Sequence, residues 1–570
     1  MARTVAIGIQ DFETIISNDY FYIDKTDFIR EWWENGDSVT LIARPRRFGK
    51  TLNMSMLETF FSNKYSNRGD LFENLNIWKD EKYKDIQGTY PVINLSFANI
   101  KETTYEMAYR KIIEILVKLY AQYEFLLDEN ILKQRDKDFY DQVTYGMDEV
   151  TASLAIQNLS DYLSRYYGKK VLIFLDEYDT PMQEAYVNGY WNEFTSFIRS
   201  LFNATFKTNP YMERAVMTGI TRVSKESIFS DLNNLEVVST TSEKYATDFG
   251  FTESEVYAAM DEYGLTDKEF VKFWYDGFIF GQIPDIYNPW SIINYLDKKK
   301  MMTYWANTSS NSLVGKLIRE SGAKTKKLFE MLLIGEAIDV PIDEQIVYNN
   351  LDTDESAIWS LLLATGYLKV LRYQTEDQSA ENQMTVFQLA ITNEEVKRMF
   401  YRMVSSWFRE VEEHYNDFIE ALLEGDLDAM NEYMENVTLQ IFSSFDTGRK
   451  VGRSEPERFY HGFVLGLMVD MSDRYIIKSN RESGRGRYDI MIYPKESGKG
   501  DAIIIEFKVK SKKKETDLEQ TVEAALRQID EKKYDEDLKE LGFKEENIRK
   551  YGFAFEGKNV LIGEKQRQST

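Results

Sequence analysis

The chain has 570 residues, room for about four domains at roughly 150 residues each. Its 43% hydrophobic and 14% aromatic content, with 9 prolines, excludes a disordered or collagen-like protein. Its 70 basic against 94 acidic side chains leave a net charge of −24, so a general nucleic-acid-coating role is excluded and a polyanion must meet a local basic surface. The absence of cysteine rules out disulfides, iron–sulfur clusters, thiolate zinc sites and Cys nucleophiles, and the two histidines, His414 and His461, make triad hydrolases and His-rich metal centres poor fits.

The first residues lack the apolar core of a secretory signal, and no run of eighteen uncharged apolar residues follows, so a cytoplasmic protein without membrane contact is expected. Buried-strand runs at Ser38–Ala43, Pro91–Ser96, Val171–Leu175 and Ala215–Ile220 alternate with long helical stretches. That is the pattern of an α/β domain with a parallel sheet. From about residue 245 to 450 the apolar spacing is mainly helical, as in Glu253–Tyr263, Lys268–Trp274, Asn393–Val411 and Phe418–Met434. Within it, Ile358–Thr365, Gly366–Tyr373 and Met384–Leu389 read as helix, strand, strand, the order of a winged helix. After about 451 come a helix at Pro456–Asp470, strands at Tyr475–Ser479, Tyr488–Tyr493 and Ala502–Val509, and a charged helix at Asp517–Tyr534, together one more α/β unit of ordinary domain size.

The first strand runs into Arg44-Pro45-Arg46-Arg47-Phe48-Gly49-Lys50-Thr51 and then a helical Leu52–Phe61, the strand–loop–helix setting of a Walker A phosphate loop. In such a loop the backbone N–H groups of Arg46, Arg47, Phe48 and Gly49 and the helix N-terminus cradle phosphate oxygens, Lys50 neutralises the β/γ charge, and the Thr51 hydroxyl ligates Mg²⁺. Arg44 stands where the motif has its first glycine, so the turn is made there without a glycine's freedom, and the arginines add charge for phosphate or another partner. Downstream, Val171–Leu175 ends in Asp176-Glu177, at the sheet edge where α/β proteins bind ligands. Asp176 would hold Mg²⁺ and Glu177 would polarise the attacking water. Thr218 and Arg222, at the end of the next strand, are candidate γ-phosphate sensors, although Arg222 equally suits a surface ion pair.

Near the C-terminus, two strands flank a glycine-containing turn, and a hairpin centred between Ser497 and Gly498 sets Asp489 opposite Glu506. Glu506 and Lys508 share one face of their strand while Phe507 points to the other. Two adjacent carboxylates call for a cation, and their oxygen donors suit Mg²⁺ better than zinc. Lys508 would orient or deprotonate water for attack on a phosphodiester. Glu457, with His461 and Val464 at helical spacing, is a candidate further metal ligand; Gln528, on the face of the last helix shared with Ala525 and Lys532, is a candidate pocket residue. A salt-bridged sheet face without chemistry is the alternative for the trio.

Tyr22-Ile23-Asp24-Lys25-Thr26, the phosphate loop, Asp176–Pro181 and Phe229–Asn234 resemble the AAA-ATPase-like family of bacterial proteins, in which the Arg-Pro-Arg-Arg-Phe-Gly-Lys form of the loop is common. Trp274–Phe278 and Tyr287–Ser291 resemble the helical lid segments after such a core. Glu482–Asp489 with Glu506-Phe507-Lys508 resembles the PD-(D/E)XK nuclease superfamily domain fused at its C-terminus, with Tyr488 in place of the proline. The resemblance implies an AAA-ATPase-like P-loop domain at 1–240, a lid at 241–310, a helical or winged-helix region at 311–450 and a restriction-endonuclease-like α/β domain at 451–570. It also implies that Asp489, Glu506 and Lys508 bind Mg²⁺ and activate water, and that the architecture acts in defence or mobile-element biology. The leading expectation is an ATP- and Mg²⁺-using hydrolase whose nucleotide cycle licenses cleavage of nucleic acid, DNA ahead of RNA, in a chain able to form homo-oligomers. The alternatives are a signalling or scaffold ATPase whose C-terminal domain binds without cutting, and a phosphate loop that binds nucleotide structurally while only the nuclease works.

Overall fold

The computed structural model describes residues 2–128, 131–221, 232–306, 312–342, 356–374, 386–407, 415–435, 474–495 and 500–565, except 322, 334, 484–485, 512–514 and 557–558, together with 229 and 464. Arg222, Glu457 and His461, and the helix expected at 456–470 save for Val464, lie outside the described residues. The chain divides into two compact units, residues 1–308 with 339–395 and residues 309–338 with 396–570.

In the first unit, β1 (Val39–Ala43), β2 (Val92–Ser96), β3 (Val171–Asp176), β4 (Met212–Gly219) and β5 (Leu235–Val238) form a parallel sheet in the order β2-β3-β4-β1-β5. Four strands stand where the apolar runs predict. β1 and β3 are buried along their whole length, as continuous apolar runs in a covered parallel sheet should be. The fifth was not foreseen: β5 is a four-residue edge strand with one buried position, too short for its pattern to register. On one face the helix Asp27–Asn35 buries Phe28, Ile29 and Trp32, and the helix Lys50–Phe61 buries Phe60 and Phe61. Trp32 meets Phe61 edge-on at 5.5 Å and Phe174 of β3 at 5.9 Å, so this aromatic cluster fixes the helix that leaves the phosphate loop.

The rest of this unit sets two small antiparallel sheets among its helices. β6 (Phe251–Thr252), β7 (Phe278–Phe280) and β8 (Ile283–Tyr287) form an antiparallel sheet in the order β6-β8-β7. β9 (Ile338–Pro341), β10 (Leu368–Gln374) and β11 (Val386–Ile391) form a second, in the order β10-β11-β9. Strands of two to five residues carry too few alternations to register within the mainly helical spacing of this stretch. The helix Ser356–Ala364 followed by antiparallel β10 and β11 has the winged-helix order read from the sequence.

In the second unit, the helix expected at 418–434 is two, Tyr415–Glu424 and 427–435, because the Asp426 carboxylate accepts the Ala429 N–H at 3.0 Å and caps a new start. β12 (Tyr475–Ser483), β13 (Gly486–Pro494), β14 (Ala502–Val509), β15 (Ile548–Glu556) and β16 (Asn559–Glu564) form one sheet in that order, antiparallel except for β14 and β15. The helix Leu518–Lys532 is the crossover between the parallel pair, capped by Asp517 and burying Val522, Ala525 and Ile529. β15 and β16 were missed. Arg549 and Lys550 interrupt the apolar pattern of β15; the buried Lys550 ammonium donates to Asp530 at 2.9 Å and Asp535 at 3.0 Å, and Arg549 to Asp501 at 2.9 Å. Buried charge is tolerated inside a strand when it is paired in this way.

Candidate functional site

β1 ends at the loop, and Gly49, at φ +81°, is the N-cap of the helix Lys50–Phe61. A Cβ at Gly49 would meet nothing within 4 Å, so the requirement for glycine there is the left-handed backbone itself. The Lys50 side chain is buried, and its ammonium donates to the carbonyls of Arg44 and Pro45, each at 2.9 Å. Burial lowers its pKa, opposed by Glu177, Asp179 and Asp176. The sheet order puts β4 between the strand that carries the loop and β3, whose last residue is Asp176. The consequence is a shared carboxylate: Thr51 Oγ1 donates to Asp176 Oδ2 at 2.8 Å, and Thr218 Oγ1 donates to Asp176 Oδ1. Asp176 is 4% exposed, and burial raises its pKa against the two hydroxyls.

Glu177 takes φ +50°, rare for a residue with a side chain. Its N–H donates to Thr218 Oγ1 at 3.2 Å and its carboxylate accepts from Thr180 Oγ1 at 3.1 Å. The structure thus brings Lys50, Thr51, Asp176, Glu177 and Thr218 to one end of the sheet. Asp179, for which the sequence pattern assigns no role, is buried and accepts from the backbone N–H groups of Ile220 at 2.8 Å and Thr221 at 2.9 Å and from Thr221 Oγ1 at 3.0 Å. It ties the segment after β3 to the exit of β4. The signal was its place two residues after Glu177.

The loop side chains face elsewhere. Arg44 is fully buried; its guanidinium donates to the carbonyls of Ser239 and Lys244 and lies 4.3 Å from the Phe280 ring centre. Its charge therefore does not serve phosphate, which corrects that reading of the first arginine. Arg47, at φ +65°, sets its guanidinium 4.4 Å from the Trp290 ring centre, and Phe48 packs on Phe278 at 4.8 Å and Phe280 at 5.4 Å. The Arg46 carbonyl accepts from Asn288 Nδ2 at 3.2 Å and Trp305 Nε1 at 3.0 Å. Arg44→Gly, which restores the motif glycine, is expected to lower stability by about 3 kcal/mol, since it strips a hydrogen-bonded buried side chain from its carbonyl partners. Urea unfolding checks it, and nucleotide affinity is expected not to improve.

Glu395, at the start of the helix Glu394–Trp407, was not foreseen. A glutamate in a first helical turn ordinarily faces solvent and complements the dipole, whereas this one is 1% exposed. It accepts from the N–H groups of Trp305 at 2.6 Å and Ala306 at 3.3 Å and from Ser291 Oγ at 2.7 Å. Burial pushes its pKa up to about 7, against these donors. A carboxyl raised in the folded state favours folding below the unfolded value near 4.5, and this contribution is lost as pH rises through about 7. Relative to Glu395→Gln, the wild type is therefore expected to lose about 2–3 kcal/mol between pH 5 and pH 8, read from urea midpoints.

In the second unit, β13 and β14 pair in the expected register, Ile490 with Ile505, Met491 with Ile504 and Ile492 with Ile503. Beyond Ile490 the Asp489 side chain replaces the ladder, Oδ2 accepting the Phe507 N–H at 2.8 Å. Glu506 is 3% exposed, and Gln528 of the crossover helix joins it to Lys508: Nε2 donates to Glu506 Oε1 while Oε1 accepts from Lys508 Nζ at 2.7 Å. Gln528 Nε2 also donates to the Tyr534 hydroxyl at 3.2 Å. Burial raises the Tyr534 pKa, with further increases from Glu506 and Asp489, so both carboxylates lie within electrostatic reach of one phenol. Phe507 packs on the opposite face, against Phe553 at 5.1 Å. Asp489, Glu506, Lys508 and Gln528 thus converge.

The donor chemistry of both sites fits a hard divalent cation: a hydroxyl and carboxylate pair at Thr51 and Asp176, and carboxylate oxygens beside a lysine at Asp489, Glu506 and Lys508. Among the described residues no group of three or more His, Cys, Asp or Glu could by itself hold a metal ion. Among them, too, no helix is long and apolar enough to cross a membrane.

A curated relative from Azotobacter chroococcum mcd 1, described as an uncharacterized protein in the vnfD 5′ region, is 26% identical over 376 residues, 65% of each chain. The chain thus spans just under two thirds of that relative's length. Residues 6–229 match the family described as Predicted AAA-ATPase, and residues 455–565 match the PD-(D/E)XK nuclease superfamily. The chain joins an N-terminal AAA-ATPase-like domain to a C-terminal PD-(D/E)XK nuclease superfamily domain.

Proposed function

We propose that this protein binds and hydrolyses ATP at the Lys50–Thr51 loop and cleaves nucleic acid, DNA ahead of RNA, at Asp489, Glu506 and Lys508. The observation that carries the first half is the Thr51–Asp176–Thr218 hydrogen-bonded group beside a buried lysine. Lys50, already stripped of water, would exchange its two loop carbonyls for phosphate oxygens, and the N–H groups of the loop would hold the same phosphates. Glu177, next to Asp176, would orient the attacking water, with Thr218 reading the terminal phosphate; Arg222 is assigned the same sensing role from sequence. Mg²⁺, held at Thr51 and Asp176 and at Asp489 and Glu506, with Glu457 as a sequence-based further ligand, would supply charge neutralisation and a more acidic bound water.

At the second site Lys508, oriented by Gln528, would hold or accept a proton of the attacking water. Cleavage here is supported by a carboxylate of β13 drawn toward the carboxylate and lysine in the second half of β14. We assign the four segments 1–240, 241–310, 311–450 and 451–570 to an ATPase domain, a helical lid, a helical or winged-helix region and a nuclease domain, in a cytoplasmic protein of defence or mobile-element biology able to self-associate. ATP turnover measured for wild type and Glu177→Gln tests the first activity: turnover falling at least about 100-fold with nucleotide binding retained is the expected result. Equal turnover would leave a loop that binds nucleotide only structurally.

A further inference from the structure

Two buried donors converge on one peptide of the phosphate loop. The Arg46 carbonyl accepts two hydrogen bonds, from the Trp305 indole and the Asn288 amide. Glu395 stands behind both donors. One carboxylate oxygen takes the backbone N–H groups of Trp305 and Ala306; the other takes the hydroxyl of Ser291, at the start of the helix Pro289–Lys298 that Asn288 caps. Asn288 holds that helix start through its Oδ1, which accepts from the N–H groups of Trp290 and Ser291 at 2.9 Å and 3.4 Å. The Trp305 ring is itself fixed between Phe278 at 5.4 Å and Tyr367 at 5.5 Å. Glu395, Asn288, Ser291 and Trp305 are all at most 3% exposed, so the chain of bonds is shielded from competing water.

A trans peptide is planar, with its carbonyl and N–H on opposite sides. Pinning the Arg46 carbonyl toward Trp305 and Asn288 therefore turns the Arg47 N–H away from them. Backbone N–H groups aimed inward are what a phosphate loop uses to bind its anion. We propose that Glu395 is a positioning residue of the nucleotide site, acting through Trp305 and Asn288 on the Arg46–Arg47 peptide so that its N–H faces bound phosphate. The proposal rests on the reading of this loop as the ATP site. It also accounts for a loop of Arg-Pro-Arg-Arg-Phe sequence: Arg44, Arg47 and Phe48 face the surrounding segments, leaving backbone to face the ligand.

The test is titration of the full-length protein with a fluorescent ATP analogue, alongside ATPase kinetics and thermal melting, for wild type, Lys50→Ala, Trp305→Phe, Glu395→Ala and Glu395→Gln. Trp305→Phe keeps an aromatic ring but removes the indole N–H. It and Glu395→Ala are expected to weaken nucleotide binding about tenfold while kcat at saturation stays within about twofold. Glu395→Gln, whose amide oxygen still accepts both N–H groups, is expected to bind within about threefold of wild type. A Trp305→Phe protein that melts with wild type yet binds nucleotide weakly supports positioning over bulk stability. If wild type binds, Lys50→Ala does not, and both Trp305→Phe and Glu395→Ala bind like wild type, the Glu395 proposal fails alone; if wild type itself fails to bind, the nucleotide reading falls and takes the proposal with it.

Discussion

Lys50→Ala is expected to weaken ATP binding by about 100-fold or more and to abolish turnover, because it removes the ammonium held against the loop carbonyls. Charge-assisted hydrogen bonds of this kind contribute about 1.5–3 kcal/mol each, and two of them lost together correspond to a factor of that size. The fold should survive, since among the described residues Lys50 Nζ bonds to the carbonyls of Arg44 and Pro45 and to no side chain. Burial lowers the Lys50 pKa, so its removal relieves a desolvated charge, which offsets part of the cost of the two lost hydrogen bonds, and the variant is expected to stay folded with a modestly lower melting temperature. Equilibrium titration with a fluorescent nucleotide, paired with thermal melting, separates loss of binding from loss of fold. Nucleotide binding equal to wild type in Lys50→Ala would remove this loop from the account.

The second large effect is expected at the other end of the chain. Asp489→Ala should reduce Mg²⁺-dependent cleavage by at least about 10³-fold, since a carboxylate that positions a metal governs several kcal/mol of transition-state charge. Here stability moves too: Asp489 accepts the Phe507 N–H at 2.8 Å, and that donor is part-buried. Asp489→Asn keeps an acceptor for the N–H while losing the charge, so it should lose cleavage with little change in unfolding midpoint. Cleavage by Asp489→Asn at the wild-type rate would sever this carboxylate from the chemistry.

How far the sequence carries the reader depends on what each feature needs. Val171–Leu175 and Ile503–Ile505 are uninterrupted apolar runs, and such runs declare a buried strand without reference to anything distant. The register that sets Asp489 toward Glu506 was legible because the hairpin turn and the two-residue alternation determine it together. The Lys50, Thr51 and Asp176 grouping followed from strand–loop–helix context and the end of a second strand.

What stayed hidden was set by partners far away in sequence. Glu395 reads as a solvent-facing acid at a helix start, and only the arrival of Trp305 and Ser291, some ninety to a hundred residues earlier, makes it a buried acceptor. Arg44 reads as charge available to phosphate or another partner, yet the carbonyls of Ser239 and Lys244 claim its guanidinium. β15 was obscured by Lys550, whose strand position is tolerable only because Asp530 and Asp535 lie beside it. Each case is a charge whose cost is cancelled by a non-local group, which no local pattern can reveal.

The most direct measurement is a cleavage assay of full-length protein on mixed single- and double-stranded DNA and RNA with Mg²⁺, comparing wild type with Asp489→Asn. The account predicts that wild type cuts, that chelation stops it, and that Asp489→Asn, folded and still binding ATP, does not cut. Wild type leaving every substrate intact with either Mg²⁺ or Mn²⁺, or the variant cutting as fast as wild type, would contradict it.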